Sequence, residues 1–413
     1  MLSDCGFGHR KNKVPRTASK KTDADENTEH SPAAYIDVRE EASTGSSPQM
    51  LSNRGFGLYF HWPFCLTKCP YCNFYSKTAQ EIPQEKIVDD YLQELDFYHH
   101  YTADQKIRSI FFGGGTPSLL KPQLIEKLIN VAAQKWTWEN EVEISLEANP
   151  NTQHPGLFSA LKSAGVNRLS LGIQALNDED LKFLGRSHNL GDAYNAMEEV
   201  LRLFDNHSVD LIYARPGQTV QAWQKELSAA LNFGFKHMSL YQLTIEPGTS
   251  FFRRGIKEAE EETARELYQL TDFLTTEAGY PRYEISNYAA DAFRCRHNLL
   301  YWQGGDYVGI GRGAHGRFNR DGKFYASVHR CKLHELTRQE KAEELLLTGL
   351  RLKEGIDKKR FAQITGLDFD GFVAAKGLKA LSETDLIINQ KDKLAVSDEG
   401  CFVLDSIISM LCP

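Results

Sequence analysis

The stretch HWPFCLTKCPYCNFYS (residues 61–76) decides the fold, because it places three cysteines in one short loop after an apolar run. Cys65, Cys69 and Cys72 are separated by three and then by two residues, and a loop of this pattern can direct three thiolates at one inorganic cluster. Three ligands leave one iron of a four-iron cluster without a protein ligand. A structural zinc site normally has four ligands. The spacing therefore favours a reactive iron–sulfur centre; zinc, or three unrelated thiols, is the alternative.

Length and composition indicate an ordinary globular protein of two or three domains. The chain has 413 residues, 41% of them hydrophobic and 25% charged, and a net charge of −7. This charge gives no general attraction to nucleic acid, so we predict no nucleic-acid partner. Eight cysteines without a secretory signal favour a reducing compartment. We expect a cytoplasmic location, with the mitochondrion as the alternative. The sequence has no run of about 18 apolar residues, the length that could span a membrane.

Residues 1–54 differ from the rest of the chain and are expected to form a disordered tail. The segment is rich in Ser, Thr, Asp, Glu, Lys and Asn and has few large apolar side chains. Such a composition cannot bury enough surface to offset the entropy of ordering. Its first part is basic, which supports organelle targeting, but the acidic string DADENTE argues against a transit peptide.

Between residues 55 and 250 the sequence alternates strand and helix patterns, which is typical of βα units on a parallel sheet. We predict six strands, at 57–61, 108–114, 141–149, 168–174, 209–214 and 237–245. Six units are too few for a closed eight-stranded barrel, so the predicted fold is α/β with an open, partial (β/α)6 barrel. Ligands of such a sheet bind where the carboxyl ends of the strands meet.

The remaining chain is predicted to form an α+β extension. Residues 251–340 read as a connecting region that begins with a long amphipathic helix, EAEEETARELYQLTDFLTTEAG. Residues 341–413 read as three helices followed by the turn NQKDK, a pattern typical of a small winged-helix module. Such modules often bind DNA, but no cluster of Arg and Lys marks a recognition helix here. A role in packing or partner binding is the better interpretation.

Polar residues and glycines follow the predicted strands. The turn GGGTPS (113–118) contains Gly114, Gly115 and Thr116, and its glycines let backbone groups approach a ligand closely. Four more polar side chains follow or lie in later strands: Glu147, Gln174, Arg186 and Asp210. A carboxylate can accept hydrogen bonds from ligand hydroxyls, and a guanidinium group matches a carboxylate. Each residue alone could be a turn or cap residue, but their shared location favours a cofactor site.

A second candidate site is the string HNLLYW (297–302). His297 could be an axial ligand of haem iron, Asn298 could fix its tautomer, and Tyr301 and Trp302 offer flat faces to a porphyrin. The alternative is a packed aromatic strand with one satisfied histidine. Cys295 and His315 are further candidate iron ligands, subject to the same alternative.

The cysteine loop resembles that of the radical S-adenosylmethionine (SAM) enzymes. The resemblance implies a 4Fe-4S cluster on Cys65, Cys69 and Cys72, whose open iron binds the amino and carboxylate groups of SAM. It implies that GGGTPS lines the methionine end of SAM. It also implies SAM contacts from the set Tyr59, Tyr71, Gly114, Gly115, Thr116, Glu147, Gln174, Arg186 and Asp210. No catalytic residue is assigned.

From about Tyr59 onward the chain resembles the oxygen-independent coproporphyrinogen III oxidase superfamily. The resemblance rests on GGGTPS, EANP, VNRLSLGIQ, LGRSH, PGQT, SLYQLTIEPGT, YEISNYA and HNLLYW. This superfamily has an oxidase branch, which decarboxylates porphyrinogen propionates, and a haem chaperone branch.

Two features favour the chaperone branch. The oxidases have a further cysteine where this chain has Phe74, and HNxxYW is the haem-binding signature of the chaperones. The resemblance then implies haem binding near the mouth of the barrel and delivery to apoproteins such as respiratory haem enzymes, which leaves enzymatic turnover uncertain. Peripheral membrane association through partners and a homodimer are further expectations. The chain departs from the family at Asn73 and at Ala214-Arg215, and Arg215 could alter the cavity near the fifth strand.

Overall fold

The computed structural model describes residues 55–150, 155–328 and 331–413. The tail predicted to be disordered, residues 1–54, lies outside the described residues. The first part of the chain runs through β1 (Phe56–Trp62), β2 (Phe64–Cys65), β3 (Lys77–Thr78), α1 (Gln84–Thr102), β4 (Lys106–Gly114), α2 (Pro122–Lys135), β5 (Thr137–Ala148), α3 (Leu157–Ser163), β6 (Arg168–Gln174), α4 (Asp178–Phe183), α5 (Leu190–Leu203), β7 (Asn206–Tyr213), α6 (Val220–Asn232) and β8 (His237–Gln242).

The second part continues through α7 (Ser250–Arg253), α8 (Glu261–Glu277), β9 (Arg282–Glu284), β10 (Asn287–Ala289), α9 (Arg296–Trp302), β11 (Asp306–Ile310), β12 (His315–Arg320), β13 (Lys323–Val328), β14 (Lys332–Leu336), α10 (Arg338–Gly349), β15 (Ile356–Asp357), α11 (Lys358–Thr365), α12 (Phe369–Phe372), α13 (Ala375–Ser382), β16 (Ile387–Asn389), β17 (Lys393–Val396) and α14 (Leu404–Leu411).

One twelve-stranded sheet organises the molecule, in the order β14-β13-β12-β11-β1-β4-β5-β6-β7-β8-β10-β9. Strands β1 and β4 to β8 are the six predicted strands, and they pair in parallel. No pairing among the described residues joins β9 to β14, so the sheet is open, and the predicted partial (β/α)6 barrel is confirmed. The sequence analysis missed β11, which adds a seventh parallel strand beside β1.

Strand β1 shows why these runs form the sheet. Its alternate residues Leu58, Phe60 and Trp62 belong to the large hydrophobic core. Tyr59 and His61 point to the opposite face, as the two-residue period of a strand requires. Both faces of β1 are buried, which is typical of a parallel sheet. Helices cover the first face. The second face is the barrel interior, and it carries polar and aromatic side chains.

Residues after α9 extend the sheet and then form a smaller unit. The antiparallel strands β12, β13 and β14 lie beside β11. Helices α10 to α14 and the antiparallel sheet β15-β17-β16 share a second hydrophobic core. The predicted NQKDK turn connects β16 to β17. Arg282 of β9 ties this unit to the barrel, because it bonds Asp272 at 3.0 Å and Asp398 at 2.6 Å. In the described ranges, no helix is both long and apolar enough to cross a bilayer.

Candidate functional site

A cavity of about 710 Å³ lies at the carboxyl ends of the parallel strands. The structure brings eleven predicted residues together in its wall: Cys65, Cys69, Cys72, Tyr71, Gly114, Gly115, Thr116, Glu147, Gln174, Arg186 and Asp210. They come from β2 and the loop after it, from the end of β4 and the turn after it, from the loop after α4, and from β5, β6 and β7. The convergence follows from the topology, because the carboxyl ends of parallel strands share one edge of the sheet.

The cysteine loop leaves β1 and is fixed by backbone hydrogen bonds. The N–H of Cys72 donates to the Cys69 carbonyl at 3.1 Å, which closes the turn between these two cysteines. The N–H of Phe251 donates to the Pro70 carbonyl at 2.8 Å, so α7 supports the loop from outside. Burial raises the pKa of Cys65, and it raises the pKa of Cys72 to about 11. A metal centre that binds these side chains must therefore displace their protons.

The three thiols of the cysteine loop line one cavity but are too far apart to bind a single metal ion. No three His, Cys, Asp or Glu side chains in the described part of the chain are placed to hold a single metal ion. A four-iron cluster binds each thiolate at a different iron, so its ligands stand further apart than those of a single ion. The three-cysteine donor set fits such a cluster.

Arg186 lies at the centre of the cavity wall. Its Nη1 donates to Cys69 Sγ at 3.4 Å and its Nη2 donates to the Gly172 carbonyl at 2.9 Å. Nη2 also donates to Asn149, a cavity residue that the sequence analysis did not single out. Asn149 follows Glu147 in the quoted string EANP, which was the available signal. The buried Nε of Arg186 has no protein partner.

Gln174 also has unused hydrogen-bonding capacity. Its buried Oε1 has no partner, although it lines the cavity. Its φ of +74° is a conformation that non-glycine residues seldom adopt. Because a buried polar atom without a partner costs free energy, the free Oε1 and the Nε of Arg186 fit a polar ligand that donates and accepts hydrogen bonds in the cavity.

Two carboxyl groups form the polar side of the cavity. Glu147 accepts from the N–H of Gly114 at 3.2 Å, and burial raises its pKa to about 7. The nearby carboxyl of Asp210 raises the Glu147 pKa further. Asp210 accepts from Ser170 Oγ at 3.1 Å, and burial raises the pKa of Asp210 as well. Both groups can accept hydrogen bonds from hydroxyl or ammonium groups of a ligand.

The glycines of GGGTPS have a packing role that the sequence analysis did not predict. Gly115 donates to the Trp62 carbonyl at 2.6 Å, and a Cβ at Gly115 would lie 2.5 Å from the carbonyl oxygen of Phe64. Gly114 has a φ of +111°. These glycines are required where the loop packs against the end of β1, whether or not a ligand approaches them.

Two further residues are not part of the cavity wall. Tyr59 lies in the barrel interior, where its hydroxyl bonds His61 Nδ1 at 3.0 Å, and its contact with SAM stays a prediction. Arg215 does not alter the cavity, because its buried guanidinium points away to Glu226 and Asp180. Ala214, before it, has a φ of +56°.

The string HNLLYW forms the helix α9, so the strand in the alternative interpretation is wrong, whereas its buried, hydrogen-bonded histidine is present in the structure. Ser109 Oγ lies 2.8 Å from His297 Nδ1, and a Cβ at Gly57 would lie 3.1 Å from the His297 ring. Gly57 and Ser109 lie in the first half of β1 and β4, whereas the cysteine loop follows the end of β1. Helix α9 therefore lies at the amino end of the barrel, at the opposite end from the cavity, and haem binding at a mouth of the barrel stays a prediction.

The two sides of α9 have different environments. His297 and Tyr301, four residues apart, face the barrel interior, where the Tyr301 hydroxyl bonds His297 Nε2. Both ring nitrogens of His297 are therefore engaged in this conformation. Asn298 is half-buried, and Arg351 of the C-terminal unit lies 5.7 Å above the ring of Trp302. Cys295 precedes α9 and is buried, whereas His315 begins β12 on a different element.

Comparisons with known proteins agree with this geometry. The family model described as the radical SAM superfamily matches residues 59–229, and the model described as the HemN C-terminal domain matches residues 336–403. A protein of Buchnera aphidicola named heme chaperone HemW is 35% identical over 367 residues, covering 86% of this chain and 97% of that protein. The chain belongs to the radical SAM superfamily, in a HemN-like family close to HemW.

Other relatives extend this family. The Escherichia coli protein named heme chaperone HemW is 32% identical, covering 86% of this chain and 97% of that protein. A mouse protein named radical S-adenosyl methionine domain-containing protein 1, mitochondrial, is 35% identical and covers 89% of each chain. The solved structure of the E. coli coproporphyrinogen III oxidase HemN has a TM-score of 0.72 at 20% identity, covering 86% of this chain and 90% of HemN, which shows a shared fold. Membership of the radical SAM superfamily implies a 4Fe-4S cluster and SAM.

Proposed function

We propose that this chain is a haem chaperone on a radical SAM scaffold, which binds haem, a 4Fe-4S cluster and SAM and delivers haem to apoproteins. The observation that carries the proposal is the complete HNLLYW string on a separate helix of a chain related over most of its length to heme chaperones. The cavity at the other end of the barrel supports the cluster and SAM.

In the cavity, Cys65, Cys69 and Cys72 would hold the cluster, leaving one iron open to SAM. When bound, this pair supplies one-electron chemistry that can cleave the sulfonium bond of SAM. Gln174 and Arg186 would orient SAM through their free buried atoms, and Glu147 and Asp210 would accept its hydroxyl or ammonium donors.

Haem would bind at α9, with His297 as the candidate iron ligand. The Tyr301 hydroxyl must release His297 Nε2 and the buried His297 ring must be uncovered before this nitrogen can bind iron, so haem uptake would involve movement of α9 or of its side chains. Basic side chains near α9 suit the two propionates of haem: Arg296 is at its first turn and Arg351 lies over Trp302.

We expect haem titration of the purified protein to shift the Soret band, and we expect His297→Ala to weaken binding by about tenfold or more, on the scale seen when a metal site loses a supporting residue. The matched control is His207→Ala, which removes a buried histidine on β7 outside the motif and should retain the wild-type affinity. If the wild type gives no spectral change, the chaperone function is wrong. If both variants bind equally well, His297 is not the ligand.

The second candidate is an oxygen-independent coproporphyrinogen III oxidase, favoured by the fold shared with HemN. This activity requires enzymatic turnover on the same scaffold. Phe74 argues against it, because the oxidases have a further cysteine at this position. We expect the reduced, cluster-loaded protein to release no vinyl products from coproporphyrinogen III under anaerobic conditions. Formation of these products, measured by chromatography, would reverse the ranking of the two functions.

The remaining partner predictions belong to the same proposal. Delivery needs a haem-accepting apoprotein, and membrane association would come through such a partner. Related proteins include both bacterial proteins and proteins named as mitochondrial, which is consistent with a cytoplasmic or mitochondrial location. Aromatic Phe273 of α8 is 62% exposed beside the C-terminal unit, which suits the proposed homodimer.

A further inference from the structure

A chain of hydrogen bonds crosses the barrel interior from the cavity wall to the start of α9. Asp210, on the cavity wall, accepts from Ser208 Oγ at 3.5 Å, and Ser208 Oγ lies 2.7 Å from His237 Nδ1. His237 Nε2 lies 2.8 Å from the hydroxyl of Tyr283, which accepts from the backbone N–H of Cys295 at 3.3 Å. Cys295 is the residue that precedes the first turn of α9. All five residues are buried, so water does not compete for these bonds.

The protons of this chain have two arrangements. Burial lowers the pKa of His237 well below its usual value, so its ring is neutral and carries one N–H. With that proton on Nδ1, Tyr283 donates to Nε2, Nδ1–H donates to Ser208, and Ser208 donates to Asp210. With the proton on Nε2, Ser208 donates to Nδ1 instead, and Asp210 loses this donor. The Tyr283 hydroxyl proton then loses its acceptor in the chain. The two arrangements are discrete, because each hydroxyl has only one proton.

A carboxylate at the same end holds the first turn of α9. Glu143 of β5 accepts from the backbone N–H of Arg296 at 3.1 Å and of His297 at 3.3 Å, and from Cys295 Sγ at 3.5 Å. These are N–H groups that a helix cannot satisfy internally. The position of α9 therefore depends on a few buried polar contacts, and the Tyr283 bond to Cys295 is one of them.

We propose that this hydrogen-bonded chain makes the haem affinity of α9 depend on the ligand in the cavity, with Ser208, His237 and Tyr283 as positioning residues. The proposal rests on the proposed function. A ligand N–H or O–H that donates to Asp210 competes with Ser208 for the carboxylate and favours the second proton arrangement. The Tyr283 oxygen then accepts from both His237 Nε2–H and the N–H of Cys295, so the longer bond to Cys295 weakens and α9 shifts more readily. Because coupling between two sites is reciprocal, haem changes the affinity for the cavity ligand by the same factor.

The test uses the full-length, cluster-loaded protein and S-adenosylhomocysteine, a ligand of the SAM type without a sulfonium bond to cleave. Haem affinity is measured by Soret titration with and without it, and hydrogen exchange is followed in a peptide covering residues 294–303. In the wild type we expect the haem Kd to change by about fivefold or more and the exchange of α9 to change. In Tyr283→Phe, which removes the bridging hydroxyl, both changes should disappear. Ser208→Ala, at another link, should give the same result.

The matched control is Tyr288→Phe, which removes a buried hydroxyl without a partner on the neighbouring strand β10 and should retain both changes. An unchanged response in Tyr283→Phe, or a wild type that responds in neither measurement, would overturn the coupling. Failure of the proposed function can be distinguished from failure of the coupling. A wild type that binds no haem would give no Soret change in the titration, whatever happens to the hydrogen exchange of α9. Hydrogen exchange of α9 would then still show whether the cavity ligand acts on this helix.

Discussion

Cys65→Ala, Cys69→Ala and Cys72→Ala should each remove the iron–sulfur absorption of the anaerobically reconstituted protein. The three thiols are the only cysteines in the cavity wall within the described residues, so the loss of one leaves two ligands for a four-iron cluster. With two thiolates, a second iron of the cluster has no protein ligand, and the cluster is no longer held stably. We expect iron content to fall from about four per chain to near background in each variant, measured together with the visible absorption of the cluster.

Cys401→Ala and Cys412→Ala are the controls, because these cysteines lie in the C-terminal unit and belong to the periphery of its core. Both should retain the iron content of the wild type. A full cluster in any variant of the three loop cysteines would contradict the ligand assignment. The same loss in the control variants would show that cluster loading reports folding in general.

Glu226→Ala should be among the most destabilising single substitutions in the barrel. Glu226 of α6 is buried and bonds both Nη atoms of Arg215, whose side chain is 2% exposed. It also accepts from the N–H of Leu176 at 2.7 Å. Removing it leaves Arg215 with Asp180 as its remaining carboxylate and leaves the N–H of Leu176 unpaired. Because the buried Arg215 then loses the nearer of its two carboxylates and a backbone N–H loses its acceptor, we expect the free energy of unfolding to fall by about 3–5 kcal/mol, measured by urea denaturation.

Arg215→Leu/Glu226→Leu tests the origin of this loss. Because both charges are then absent, the double variant should be more stable than Glu226→Ala, although the N–H of Leu176 remains unpaired. Glu198→Ala, at an exposed position of α5, is the surface control and should change stability by less than about 0.5 kcal/mol. A double variant as unstable as Glu226→Ala would show that lost packing or the unpaired N–H of Leu176, and not the buried charge, causes the effect.

The barrel could be predicted from the sequence because its signal is local. The runs that form β1 and β4 to β8 are rich in apolar and β-branched residues and alternate with helical patterns, which is sufficient for a parallel sheet. Strand β11 was missed because its short run, DYVGI, lies between glycines and no helix follows it. Its pairing with β1 joins residues about 250 positions apart in the chain, a contact that no local pattern indicates.

The cavity residues could be predicted because topology brings strand ends together, whatever the details of packing. Correct prediction of the strands was sufficient to place Glu147, Gln174 and Asp210 in one wall of the cavity. The position of α9 could not be predicted in this way, because it depends on long-range contacts of His297 with Ser109 and of its backbone with Glu143. The outward direction of Arg215 likewise depends on Glu226, eleven residues further along the chain.

The central claim is that three thiolates hold a cluster whose fourth iron is open to SAM. The most direct test is electron paramagnetic resonance of the dithionite-reduced, reconstituted protein, recorded with and without SAM. Binding at the open iron should change the spectrum of the cluster, and the change should be absent from the Cys65→Ala variant. Tight binding of zinc without iron–sulfur absorption, or a cluster spectrum that SAM leaves unaltered, would contradict the account.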